Sequence, residues 1–232
     1  KSKFEEIGLE EIYKIYKELL EHIASNSMSF GVYEFGGVKS LVGGVSYKYS
    51  YFSDTILIST DELNYSVLNI TTINLNELIC KSIELNFPLR GGISIGNAII
   101  EPSKNIFLGQ PIISAHLAES SQVGIGIAHS SYINYPMSIS TDLIIPYKQH
   151  LKPNTEQYIG KFILDFPAHW RKTRKTDLIE LITKNKMSQK IKDEKEREII
   201  NRYYDNTIEI CKYSKKVEDC QWVDEYINSQ NK

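Results

Sequence analysis

Hydrophobic positions near the start of the chain follow a three- and four-residue spacing, which is the pattern of an amphipathic helix. The apolar positions are Leu9, Ile12, Tyr13, Tyr16, Leu19, Leu20 and Ile23. Residues 26–45 are rich in Ser, Gly and Phe, and predict a loop with a short strand. Residues 46–60 contain two short apolar runs separated by Asp54, and predict a β-hairpin.

The middle of the chain alternates between short helices and strands. A second helix is predicted over about residues 74–86, with Asn74 as N-cap and Pro88 beyond its end. A third is predicted from 108 to 118, with Pro111 in its first turn. Strands are predicted at 88–96, 98–100, 123–128, 143–146 and 158–166.

Helical periodicity dominates from about residue 168 to the end of the chain. The order of elements favours an α+β fold, in which one antiparallel sheet is backed by helices and a helical tail follows. We therefore divide the chain into a domain over 1–166 and a helical C-terminal extension over 167–232.

Composition narrows the class of protein. The chain has 232 residues, of which 41% are hydrophobic and 24% charged, as expected for a soluble globular protein. Its net charge of −2 gives no global field to attract nucleic acid or a membrane surface, so neither is expected as a partner. Three irregularly spaced cysteines predict neither a disulfide framework nor a zinc site. We expect a reducing, cytoplasmic location.

Asp54 is the first candidate for chemistry. It lies between Phe52 and Ile56, and carboxylates are rare among apolar neighbours unless they are paired or bind a metal. A turn aspartate that caps a hairpin is the alternative, and this segment alone leaves both open.

Two further motifs follow the hairpin in order. A glycine-rich strand fits R-x-G-I-x-x-G at Arg90, Gly92, Ile93 and Gly96. The helix after it fits part of G-D-x-V-N-x-A-x-R-L-E, at Gly109, Ile112, Ala115 and Glu119. In order and spacing, the chain resembles the class III nucleotidyl cyclases, which carry a metal-binding Asp on a hairpin before these motifs. The resemblance implies a cyclase-like palm for the fold.

The departures from the motifs indicate a different base. Ile113 and Leu117 stand where the purine cyclases have an Asn and an Arg that hold ribose and phosphate. Ser50 and Ile106 stand at the two purine-reading positions. The segments F-S-D-T-I-L-I-S and R-G-G-I resemble the pyrimidine cyclases of bacterial Pycsar antiphage defence. This resemblance implies UTP or CTP as substrate, with UTP placed first, and a cyclic product that a separate effector protein detects.

The same resemblance assigns roles to residues. Asp54 would bind metal and act in catalysis together with Arg90, for which a salt bridge to a neighbouring acid is the alternative. Lys48, Ser50, Tyr51 and Ile106 would bind the substrate, with Ile106 contributed by the partner chain of a homodimer.

Two divalent ions, Mg²⁺ or Mn²⁺, are expected for this chemistry, and one Asp cannot hold both. We expect the second carboxylate on a first strand upstream of Lys1. The competing hypothesis is a catalytically silent cyclase-like domain that binds nucleotide or a partner protein.

Overall fold

The structure is a computed structural model. It describes residues 8–27, 31–35, 38–42, 45–52, 55–61, 63–133, 139, 142–147, 149–189 and 191–219. For Leu20, 23–27, 31–35, 38–42, Tyr51, Phe52 and Asp219, only the backbone is described.

Six α-helices lie in the described residues. They are α1 Leu9–Ser27, α2 Tyr65–Glu84, α3 Gln110–Ser121, α4 Phe166–Thr173, α5 Leu178–Met187 and α6 Glu194–Asp219. Short 3₁₀ turns occupy Pro102–Lys104 and Glu156–Tyr158.

Ten β-strands are described, and eight of them pair with the strand before or after them along the chain. The strands are β1 Gly31–Phe35, β2 Val38–Val42, β3 Lys48–Phe52, β4 Thr55–Ser59, β5 Arg90–Ile93, β6 Ile99–Glu101, β7 Ile106–Leu108, β8 Gly126–Ser130, β9 Ile144–Pro146 and β10 Ile159–Leu164. The pairs β1–β2, β3–β4 and β6–β7 each form a two-stranded sheet. The largest sheet has four strands in the order β5-β8-β10-β9.

This mixed arrangement is compatible with the predicted α+β class, but the prediction of one antiparallel sheet was wrong. The described strands divide among four sheets, and β5 pairs with β8 in parallel. The parallel pair arises because α3 lies between these two strands in the sequence. A chain that passes through a helix can return to run in the same direction, whereas a tight turn reverses it.

Helix α2 begins nine residues before the position predicted for it. Its N-cap is Asn64, whose side-chain oxygen accepts a 2.9 Å hydrogen bond from Val67 N. The predicted N-cap, Asn74, is inside the helix and donates to the Tyr47 hydroxyl. Asparagine and threonine favour caps and turns over helix interiors, which is why the first half of α2 did not show in the sequence pattern.

The C-terminal helices share a core with the sheet. One cluster of buried residues combines Ile127, Ile145 and Ile163 of the sheet with Trp170 and Ile210 of the extension. The proposed boundary at residue 166 therefore separates two parts of the chain that pack on one hydrophobic core.

Among the helices that the structure describes, none has both the length and the apolar character needed to cross a membrane.

Candidate functional site

The predicted hairpin is present, and its register defines the connection between the two strands. β3 and β4 are antiparallel, with Lys48 opposite Ser59, Ser50 opposite Leu57 and Phe52 opposite Thr55. Ser53 and Asp54 are the two residues between the last pair. Both lie outside the described residues, as does the Tyr51 side chain, so their predicted roles stay predictions.

The two faces of the hairpin have different neighbours, because alternate residues of a strand point to opposite sides. Tyr49 and Ile58 pack against a cluster that includes Leu19 of α1 and Leu78 of α2. The opposite face carries Lys48 and Ser50, together with their cross-strand partners. The hairpin is thus anchored to the helices through one face.

Ser50 is 6% exposed, and its hydroxyl has no hydrogen-bond partner in the described part of the chain. The Ser59 hydroxyl, diagonally opposite on the same face, is likewise buried without a described partner. Lys48 Nζ lies 2.6 Å from Asp61 Oδ2, in an exposed ion pair. A buried hydroxyl without a partner is energetically unfavourable, and a water or a ligand can satisfy it.

Ile106 follows a short turn that contacts the hairpin. It begins β7, opposite Glu101 of β6, and its side chain is partly buried. The 3₁₀ turn Pro102–Lys104 that joins these strands contacts β3. The turn that precedes Ile106 therefore lies beside β3 in the same chain, and the contribution of Ile106 from a partner chain stays a prediction.

The glycine motif and the helix motif meet each other in the structure. A Cβ atom on Gly92 would overlap the carbonyl oxygen of Ala115 and lie 2.9 Å from Glu119 N. Gly109, just before α3, has φ +141°, a conformation that L side chains rarely adopt. Position 92 therefore requires glycine, because β5 packs directly on the backbone of α3.

Arg90, the first residue of the glycine motif, is held by side chains of its own chain. Its Nε atom donates a 2.6 Å hydrogen bond to Glu119 Oε1, and its Nη2 atom forms a salt bridge with the same oxygen. Its Nη1 atom donates to the Tyr203 hydroxyl at 2.8 Å and to the Gln122 carbonyl at 3.2 Å.

The guanidinium also faces the Tyr203 ring, 5.3 Å from its centroid. The salt bridge that the sequence left as the alternative for Arg90 is thus present. A phosphate would have to compete with Glu119 for this guanidinium.

A second charged cluster was missed by sequence reasoning. The Glu77 carboxylate accepts from both terminal nitrogens of Arg174 and lies 2.8 Å from His169 Nε2 and 3.2 Å from His22 Nε2. Arg174 also donates to Glu84. Nothing in the sequence signals the pairing of His169 with Glu77, because the two residues are 92 positions apart. This cluster joins α1, α2 and the end of α4.

Metal-binding potential can be assessed only for part of the chain. Among the described residues, no group of three or more His, Cys, Asp or Glu side chains is arranged to hold a metal ion. Asp54, the predicted ligand, is not among them. Comparisons with protein-family models, with curated proteins and with solved structures found no match to this chain.

Proposed function

We propose that this protein is a nucleotidyl cyclase that converts a pyrimidine nucleoside triphosphate, UTP or CTP, to its 3′,5′-cyclic monophosphate and pyrophosphate. The observation that carries the proposal is the hairpin β3–β4. Beside the two-residue connection that contains Asp54, this hairpin holds the buried Ser50 hydroxyl with no described partner. A hydroxyl both donates and accepts, so it suits the polar edge of a uracil or cytosine ring.

In this proposal, the ribose 3′-oxygen forms a bond to the α-phosphorus, the bond from that phosphorus to the pyrophosphate oxygen breaks, and the 3′-hydroxyl proton leaves to solvent. Two Mg²⁺ or Mn²⁺ ions would supply charge neutralisation for the triphosphate. Asp54 is the proposed ligand of these ions, together with a second carboxylate. Ser50 orients the base, and Lys48 exchanges its exposed ion pair with Asp61 for a contact with phosphate.

The proposal includes a homodimer, and an exposed apolar surface supports it. Ile99 of β6 and Leu108 of β7 form a cross-strand pair, and they are 55% and 60% exposed. Ile113, in the first turn of α3, is 55% exposed. Exposed apolar side chains grouped in this way are typical of protein interfaces. A role of the cyclic product in antiphage signalling through a separate effector follows from the resemblance alone.

A silent nucleotide-binding or protein-binding domain is the second candidate, and the Arg90 contacts favour it. Glu119, Gln122 and Tyr203 already engage this guanidinium. The matched motif residues Gly92 and Ala115 serve the packing of β5 on α3. The contacts of Arg90 and Gly92 are therefore accounted for by folding, and a catalytic role in these motifs would rest on Asp54.

The test is an assay of each triphosphate separately. We would incubate the protein with ATP, GTP, CTP or UTP and Mn²⁺, and measure cyclic product and bound nucleotide. Asp54→Ala is the variant. Asp205→Ala is the control, because Asp205 is a 56% exposed carboxylate on α6. A cyclic pyrimidine nucleotide that is lost in Asp54→Ala and kept in Asp205→Ala supports the enzyme. Nucleotide binding without any cyclic product supports the silent domain.

A further inference from the structure

A small cavity, partly open to the surface, lies between β8, β10, α6 and the segment that follows β9. Its volume is about 20 Å³, counted as space open to the centre of a water molecule. Most of its wall is aliphatic, including Ile127 of β8, Ile159 and Ile163 of β10, and Ile210 of α6. This cavity is distinct from the hairpin site, because none of its lining residues belongs to β3 or β4.

Four polar side chains interrupt the apolar wall: Gln122, Tyr147, Gln149 and His150. Tyr147 is 7% exposed, and neither its hydroxyl nor the buried Nε2 atom of His150 has a hydrogen-bond partner among the described residues. The ring centroids of Tyr147 and His150 are 5.9 Å apart. Each group would lose hydrogen bonding on folding unless something in the cavity restores it.

The backbone holds these two side chains at the cavity. The Tyr147 amide donates to the Lys161 carbonyl of β10. The His150 carbonyl accepts a 2.8 Å bond from Val123 N, and His150 itself has φ +56°. The Tyr147 ring also packs on Tyr213 of α6, with centroids 5.5 Å apart. These backbone bonds fix the positions from which the two side chains extend, and turning the Tyr147 ring to solvent would break its contact with Tyr213.

We propose that this cavity binds one ordered water molecule, which bridges the Tyr147 hydroxyl and His150 Nε2. The volume suffices, since a single water needs about 10–15 Å³ measured in this way. A bound water also needs at least two polar partners, and the two side chains provide them. Burial lowers the pKa of His150, an effect that nearby Glu209 opposes, so a neutral imidazole faces the water. A tyrosine hydroxyl and a water can each donate or accept, so either tautomer of the imidazole completes the bridge.

Two tyrosines provide a matched test. Tyr49 also has a buried hydroxyl with no partner in the described part of the chain, but it does not line this cavity. We would measure the urea denaturation midpoints of Tyr147→Phe and Tyr49→Phe. If a water hydrogen-bonds to the Tyr147 hydroxyl, Tyr147→Phe removes that bond and lowers the midpoint. Tyr49→Phe removes no such bond, so its midpoint stays unchanged or rises. An unchanged or raised midpoint for Tyr147→Phe overturns the proposal.

Crystallography of the full chain decides the same point independently. The expected result is density for one water within hydrogen-bond distance of both the Tyr147 oxygen and His150 Nε2, with that water lost or displaced in Tyr147→Phe. An empty cavity overturns the proposal even if the midpoint falls. So does a direct hydrogen bond between Tyr147 and His150.

Discussion

At the scale of single residues, polar groups in this chain fall into two classes that differ in their partners. Glu77 and Arg90 are each held by several side chains from distant parts of the chain. The hydroxyl of Ser50 is buried with no described partner. The first class stabilises the fold, whereas the second lowers stability and is available to a ligand.

Ser50→Ala is expected to affect the stability and the activity of the protein in different directions. Removing a buried hydroxyl that has no partner keeps or raises the free energy of unfolding. The same change is expected to lower kcat/KM for the pyrimidine substrate by about tenfold, the equivalent of one lost hydrogen bond of about 1.4 kcal/mol. Urea denaturation and initial rates of cyclic product formation measure the two effects.

Ser121→Ala is the comparison for stability, because the Ser121 hydroxyl is buried and donates to the Leu117 carbonyl. That variant should lose about 1 kcal/mol. A loss of similar size in Ser50→Ala would show that the Ser50 hydroxyl has a structural partner.

Glu77 makes stability depend on pH in the acid range. Burial raises the pKa of its carboxyl, but hydrogen bonds from His169 and Arg174 outweigh this effect and lower the pKa from 4.5 to about 2. A carboxyl whose pKa is lower in the folded state stabilises the fold above its unfolded pKa. This contribution is lost as the pH falls from 4.5 towards 2.

We expect Glu77→Gln to lower the free energy of unfolding at pH 7 by about 2 kcal/mol and to weaken its dependence on pH between 5 and 2. Urea denaturation at several pH values provides the measurement. Glu156→Gln, at an exposed position, should change neither quantity. An unchanged acid dependence in Glu77→Gln would mean that other carboxyls produce it.

At the scale of elements, the contact between β5 and α3 determines how closely the sheet and the helix approach. Gly92 allows the strand to lie against the backbone of Ala115, and Arg90 of the same strand binds Glu119 of the same helix. The two motifs that the sequence singled out are therefore two sides of one packing contact.

Gly92→Ala should be strongly destabilising. Its Cβ would overlap the Ala115 carbonyl oxygen, a backbone atom that can move only with the helix, so we expect a loss of about 3 kcal/mol. Gly124→Ala is the matched control, since its Cβ would meet Ile210 at an ordinary 3.5 Å. Thermal denaturation of the two variants should show a large decrease for the first and a small change for the second. Equal decreases would contradict the close contact.

Sequence patterns predicted the hairpin and most helices well because these elements are set by local periodicity. The two short apolar runs around Asp54 predicted the hairpin that β3 and β4 form. The spacing of apolar residues from Leu9 predicted α1. The start of α2 was missed because residues such as Asn69 and Thr72 disfavour helices. In the structure their side chains bond to the Tyr65 and Leu68 carbonyls within the helix.

The candidate site could be predicted only in part. The period of a strand places Lys48 and Ser50 on one face, and the register agrees. The partners of Arg90 could not be foreseen, because Glu119 and Tyr203 are 29 and 113 residues away in the sequence. The parallel pairing of β5 with β8 likewise depends on packing across α3.

At the scale of the whole molecule, the C-terminal helices are fastened to the sheet by polar as well as apolar contacts. Thr207 Oγ1 of α6 accepts a 2.9 Å bond from Ile125 N. The Ser214 hydroxyl of the same helix donates to Asp165, the N-cap of α4. These bonds reach across the boundary at residue 166, so the two parts should unfold together.

We therefore expect one unfolding transition. Trp170 of α4 is 1% exposed and reports on the extension, in a Trp222→Phe background that leaves it as the single tryptophan. Far-ultraviolet circular dichroism reports on all helices and strands. The two signals should give the same urea midpoint. Separate midpoints would show that the extension folds independently of the sheet.

The central claim is that the chain makes a cyclic pyrimidine nucleotide at the β3–β4 hairpin. The most direct measurement presents ATP, GTP, CTP and UTP together at equal concentration with Mn²⁺, and identifies every cyclic product by mass spectrometry. The proposal predicts cyclic UMP or cyclic CMP as the main product and none from Asp54→Ala. A cyclic purine nucleotide as the main product, or no cyclic product at all, would contradict it.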